Sequence, residues 1–265
     1  MKKIWVLVRK EWTEVFKNRF VLFSVAFLPL LFTVLPLVIL YFTGSVEDLG
    51  GDATLASDLP PSFGQVCTDM NGQECMQYYI VSQFMLLFMM VPMIVPITFA
   101  SYSIVGEKAT RTLEPLLATP ISTFELLLGK ALAATLPAVI ATWLSFGLYV
   151  VGTLVMAVSP AVTVKLFDAL WLIAIFVVGP LLAIAGVSIA VMISSRVNDP
   201  RVAEQISAVF VLPLIGLFVG QSTGLIFINE TIILWMAAGL FVLDLALFGF
   251  ATQLFQRETI LTRWK

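Results

Sequence analysis

Long stretches of the chain carry no charge at all. Five of them, Phe20–Val46, Cys75–Gly106, Ala131–Val164, Ala169–Ser195 and Gln205–Asn229, each run for at least 25 residues without Asp, Glu, Lys or Arg. A sixth, Thr231–Gln256, is interrupted only by Asp244. Crossing a hydrocarbon core of about 30 Å takes roughly 20 helical residues, so each stretch is long enough for one crossing and none comfortably holds two. The pattern predicts an all-α integral membrane protein, one transmembrane domain over residues 1–265, with six helices at 20–42, 79–105, 131–156, 169–193, 206–228 and 232–254. Between them lie short polar segments: 1–19, 43–78, 106–130, 194–205 and the tail 255–265.

Composition agrees with the pattern. The 265 residues are 60% hydrophobic and 12% charged, against about 25% charged in an average soluble chain, and mean hydropathy is +1.00. There is no His, which excludes imidazole-bound zinc, Ser-His-Asp and Cys-His catalysis, and haem on a proximal His. The net charge of −2 hides an asymmetry. Of the 15 basic residues, 14 fall in the first 19 residues, in the polar segments after the second and fourth spans, and in the tail; only Lys165 lies elsewhere. The positive-inside rule then places both termini in the cytoplasm. Residues 43–78 hold six acidic side chains and no Lys or Arg, which puts them outside. The first apolar run is membrane-length and followed by acidic residues, so the first span is expected to act as its own insertion signal without cleavage.

Within residues 2–19 (KKIWVLVRKEWTEVFKNR), Ile4, Trp5, Val8, Trp12, Val15 and Phe16 fall on one helical stripe opposite Lys and Arg. That is the pattern of an interfacial amphipathic helix, either a topogenic anchor or one that also packs on a partner. The outer segment contains both cysteines, Cys67 and Cys75, whose spacing fits a structural disulfide on an oxidising side. Prolines 29, 36, 92, 96, 137, 180 and 213 lie within the apolar runs and predict kinks. Met85, Met89 and Met93, with Leu212, Gln221 and Thr223, are candidates for the wall of a translocation path, mostly apolar with a polar outer end. The Gly216, Gly220, Gly224 interruption of the fifth run marks either an unwound turn at membrane depth or the start of an outer loop. Asp244 is expensive against lipid and is expected to face protein or water, as a structural residue or as an ion relay.

The most specific segments are polar. Gly106–Lys130 reads GEKATRTLEPLLATPISTFELLLGK. Leu113, Leu116 and Leu117 make an apolar stripe on a short charged helix, and Ser122 with Glu125 forms a capping box for the next one. In SSRVNDPRVAEQIS, residues 194–207, Asp199 is an N-cap with Pro200 at the first helical position. These two segments, together with the ending FQRETILTRWK, resemble the inner loops and tail of type-2 ATP-binding-cassette (ABC) exporter permeases, as does the six-span layout with both ends inside.

The resemblance implies a transmembrane permease subunit of an ATP-driven exporter in the plasma membrane of a prokaryote. It implies a dimer, homomeric or heteromeric, with each permease bound to a separate ABC ATPase subunit that carries the ATP and Mg. Residues 1–19 would be the elbow helix. Residues 106–130 would hold the coupling helix, with Glu107, Arg111 and Glu114 as polar contacts to the ATPase and Leu113, Leu116 and Leu117 as the packing face. The chain itself is expected to bind no cofactor and to be no enzyme: G-x-x-x-x-G-K-[ST] is missing, since Gly129-Lys130 is followed by Ala131 and lacks the leading Gly. Its other expected partner is membrane lipid; no nucleic acid is expected, because the few basic residues lie where topology requires them. The competing class is a stand-alone secondary transporter or channel using Asp244 as an ion relay.

Overall fold

The computed structural model describes residues 2–17, 19–44, 60, 67, 70–109 and 122–254. Among them all regular structure is helical. Helix α1 spans Lys2–Val15 and α2 spans Arg19–Gly44. Helices α3 (Gly72–Phe88) and α4 (Val91–Ala109) follow one another through a two-residue turn. Next comes α5, Thr123–Met156, then the short α6, Pro160–Val164. Helix α7 (Ala169–Ile173) passes through a π-helical turn into α8 (Gly179–Ser194). Helix α9 (Pro200–Ala208) joins α10 (Leu212–Ser222) through one 3₁₀ turn, and α11 is Glu230–Leu254. As the charge-free runs predict, six helical stretches are long and apolar enough to cross a membrane.

Polar signals set the helix ends, which differ from the span limits that hydropathy suggests. The second stretch begins at Gly72 rather than 79, because Asn71 caps it: the Asn71 amide donates to Glu74 Oε2 at 3.0 Å in a reciprocal box. The third begins at Thr123 rather than 131, since the Ser122–Glu125 box forms as expected. The fifth ends at Ser222 rather than 228. There Gly224 takes φ 74°, a left-handed conformation that costs Gly little, and Ile226 N–H turns back to Gly220 O at 2.9 Å. The glycine-rich interruption is therefore a helix end.

The prolines divide into two kinds. Pro29, Pro36, Pro96 and Pro137 lie inside continuous helices. Pro92, Pro180 and Pro213 stand in the first turn of α4, α8 and α10. A proline ring crowds the carbonyl four residues back and donates no N–H to it. Those carbonyls belong to Phe88, the last residue of α3, to Phe176 within the π turn, and to Val209 at the 3₁₀ turn. Each break thus sits where a proline requires it; in the π turn, Gly179 N–H reaches back five residues to Ala174 O.

Helices α3, α4 and α8 form the interior, with Met85, Phe88, Met89, Ile97, Phe99 and Ile104 almost wholly enclosed. A Cβ on Gly186 of α8 would stand 2.7 Å from the carbonyl oxygen of Met93, so the absence of a side chain lets α8 close on α4. Helices α2, α10 and α11 present apolar side chains outward, among them Phe23, Ile215 and Trp235. At one end of the bundle, buried Gln77 accepts from the Val158 amide at 2.9 Å and donates to Leu40 O and Thr43 Oγ1, each at 3.4 Å. The same end carries a Cys67–Cys75 disulfide with the Cα atoms 5.5 Å apart.

Candidate functional site

At the opposite end of the bundle, segment 110–121 leaves α4 and returns to α5. Arg111, Leu113, Glu114, Leu116 and Leu117 fall in it and lie outside the described residues. Its two stems are described, and they are tied to α1. The expected apolar stripe of α1 is only partly the buried one. Leu7, Val8 and Val15 are enclosed, whereas Trp5 is 59% exposed and Phe16 43% exposed. The cause is a close approach of α1 to α5. Leu7 occupies the space that a Cβ on Gly129 would need, at 2.5 Å, and Trp12 Nε1 donates to Ala133 O at 2.9 Å.

Three positions along from Val8 on the same buried face stands a carboxylate, Glu11, with its side chain only 2% exposed. Lys130, at the C-terminal stem of the loop, places its ammonium 2.8 Å from Glu11 Oε1, 2.8 Å from Glu107 Oε2 and 2.8 Å from Ser103 Oγ. Ser103 donates to the other Glu11 oxygen. Lys10 donates to Glu107 Oε1 and lies 3.5 Å from Glu14. Two ammonium groups and two enclosed carboxylates thus share one site built from α1, the end of α4 and the start of α5. Burying such charges is tolerable only when each faces an opposite charge and further hydrogen bonds. Burial alone would raise the Glu11 carboxyl, but the Lys130 charge, the hydrogen bonds from Lys130 and Ser103, and the Lys10 charge together hold it below its ordinary value. Burial likewise opposes the charge on Lys10, and the Glu107 carboxylate, with Glu11 and Glu14, overcomes this to hold the amine above its ordinary value.

The second polar segment joins the same helix. Lys108 Nζ reaches the Val197 carbonyl at 3.3 Å, and Thr98 Oγ1 of α4 donates to Glu204 of α9. Asp199 caps α9 as expected, accepting from the Arg201 amide at 2.8 Å. Helix α4 therefore carries contacts to α1, α5, α9 and the segment before α9.

Glu107, expected to point outward to a partner, is 5% exposed and turned into the ion network. The six residues proposed for a path have different surroundings. Met85, Met89 and Met93 are enclosed in the interior, Leu212 is 58% exposed, Gln221 is buried at the end of α10, and the Thr223 hydroxyl donates to Val219 O. A cavity of about 520 Å³ between α1, α2 and α5 includes none of them. Asp244 is 6% exposed, and neither carboxylate oxygen has a hydrogen-bond partner among the described residues. Sequence reasoning passed over Glu11, Ser103 and Lys130. The available signal was a carboxylate on the Val8–Val15 face of an amphipathic helix.

The profile of a family described as ABC-2 family transporter protein matches residues 5–247, more than nine-tenths of the chain. No curated protein matches it.

Proposed function

Because the chain belongs to the ABC-2 family of transporter proteins, and so is a membrane-spanning permease component of an ABC transporter, we propose that it forms an export path as a dimer and is driven by separate ATPase subunits. Segment 106–130 is the element that receives the ATPase, and α1 is an elbow helix lying at the cytoplasmic interface. The observation that carries this reading is the ion network. A loop that transmits force needs stems that do not fray, and Lys130, Glu107, Ser103 and Glu11 fasten both stems to each other and to α1. Leu113, Leu116 and Leu117 present the packing face, and Arg111 and Glu114 the polar contacts. Glu107 serves inside, as part of the fastening. Contacts from α4 to Glu204 and to Val197 give the second cytoplasmic segment a share in the same movement.

A second reading, a transporter working alone, rests on Asp244, which is enclosed and has no hydrogen-bond partner among the described residues. Affinity capture of the tagged chain in mild detergent, followed by an ATPase assay, separates the two. The expected result is a stoichiometric ATPase whose stimulation is lost in Leu116→Asp or Leu117→Asp while the chain still inserts. A pure preparation without ATPase activity supports the second reading, and an Asp244→Asn variant becomes its test.

A further inference from the structure

The cavity between α1, α2 and α5 has a definite lining. Pro29 of α2 and Pro137 of α5 both line it, and neither has an N–H to donate to the carbonyl four residues back. Ala26 and Ala141, also in the lining, are too small to refill the gap. What remains is about 520 Å³, walled almost wholly by hydrocarbon and open sideways to whatever surrounds the bundle. On α2 the lining runs from Leu22 to Leu30, about 12 Å along a helix axis, close to the depth of one leaflet's hydrocarbon.

One end of the cavity is marked chemically. Trp12 of α1 and Phe16 in the turn after it line that end, aromatic groups of the kind that settle at a membrane interface. Arg19 continues the α2 stripe of Leu22, Ala26 and Leu30 by one more turn toward that end. Lys17 sits in the turn directly after Phe16. Both cations are exposed, and neither joins an ion pair among the described residues. An apolar slot one leaflet deep, with two exposed cations at its interfacial mouth, complements an acyl chain below an anionic headgroup.

We propose that this slot is a binding site for an anionic phospholipid, held with one acyl chain between α2 and α5 and its phosphate at Lys17 and Arg19. The lipid fills the space that Pro29 and Pro137 line and joins α1 to the bundle on the side that the ion network does not reach. This site is independent of the export reading.

Native mass spectrometry of the full chain, with phosphatidylglycerol and phosphatidylcholine of equal acyl length as probes, tests it. Phosphatidylglycerol should survive activation that strips phosphatidylcholine, at one molecule per chain. Ala141→Phe, which fills the slot, should abolish that retained lipid. Lys17→Gln and Arg19→Gln, both on the surface, should lower the phosphatidylglycerol preference by roughly five-fold for each cation removed, and they keep the test decisive should Ala141→Phe not fold. Equal retention of the two lipids by the unaltered chain overturns the proposal, as does retention unchanged in these variants. Disulfide crosslinking between copies through Ala26→Cys in membranes also overturns it, because a second chain would then occupy the slot.

Discussion

The ammonium of Lys130 stands 2.8 Å from Glu11 Oε1, across 119 positions of sequence and out of reach of water. It joins the first helix of the chain to the stem of its most distinctive loop. In a low-dielectric setting such a contact matters chiefly through the cost of removing one member and stranding the other.

Lys130→Met leaves Glu11 enclosed with only Ser103 and a Lys10 ammonium 3.8 Å away. A loss of about 3–5 kcal/mol is expected, the usual result of an uncompensated buried charge. Glu11→Leu combined with Lys130→Met should recover part of that loss, because both ends of the pair are then apolar. Denaturant unfolding in detergent measures both variants; strictly additive losses would show that the two side chains do not interact.

Stability should follow pH on two limbs. The Glu11 carboxyl lies below its ordinary 4.5 in the folded chain, so its contribution is full above that value and fades as pH falls through and below it. The Lys10 amine lies above its ordinary 10.5, so its contribution is full below that value and fades as pH rises past it. Melting temperature in detergent should therefore be flat between about pH 5 and pH 10 with respect to these groups. Glu11→Gln should flatten the acid limb, and an unchanged acid limb would count against the network.

Gly186→Val drives a branched side chain toward the Met93 carbonyl, which as backbone cannot turn aside. The helices must separate, at about 1–3 kcal/mol. Gly147→Ala on α5 meets nothing within 4 Å and should instead stabilise by about 0.5–1 kcal/mol through helix propensity. Parallel thermal melts of the two variants check the opposite signs.

Closing eight positions of chain, the Cys67–Cys75 bridge should contribute about 2.5 kcal/mol to the segment it staples. Cys67→Ser together with Cys75→Ser should lower the melting temperature and hasten proteolysis near Gly72. Equal protease sensitivity with and without reductant would refute this.

The spans were legible because hydropathy is a local property: twenty uncharged residues in a row have few soluble fates. Caps were legible for the same reason, Ser122–Glu125 and Asp199 each lying within three residues of what they bond. The ion network was not, because Lys130 reads as one more cytoplasmic cation until folding brings Glu11 beside it. The surroundings of the methionines at 85, 89 and 93 were not legible either. A stretch apolar on every side has no periodicity to name its inward face, and Met85, Met89 and Met93 proved to be packed inside. Nor could sequence say that Pro92, Pro180 and Pro213 restart helices while α2 and α5 run on through Pro29 and Pro137, since that depends on whether neighbours can satisfy the freed carbonyl.

Gln77 and Lys130 sit at opposite ends of the bundle, and their partners complete a frame. From Gln77 to Glu107 is 30 residues of nearly continuous helix; from Lys130 to Val158 is 28, almost all of it α5. At 1.5 Å per residue the two uprights measure about 45 and 42 Å, the full depth of a bilayer with its headgroups. Cross-braced top and bottom by Gln77–Val158 and Glu107–Lys130, they cannot slide past one another like pistons without breaking a brace. What the frame permits is bowing at mid-depth and tilting as one piece. Any motion begun at the 106–130 segment must reach the far side of the membrane in one of those two forms.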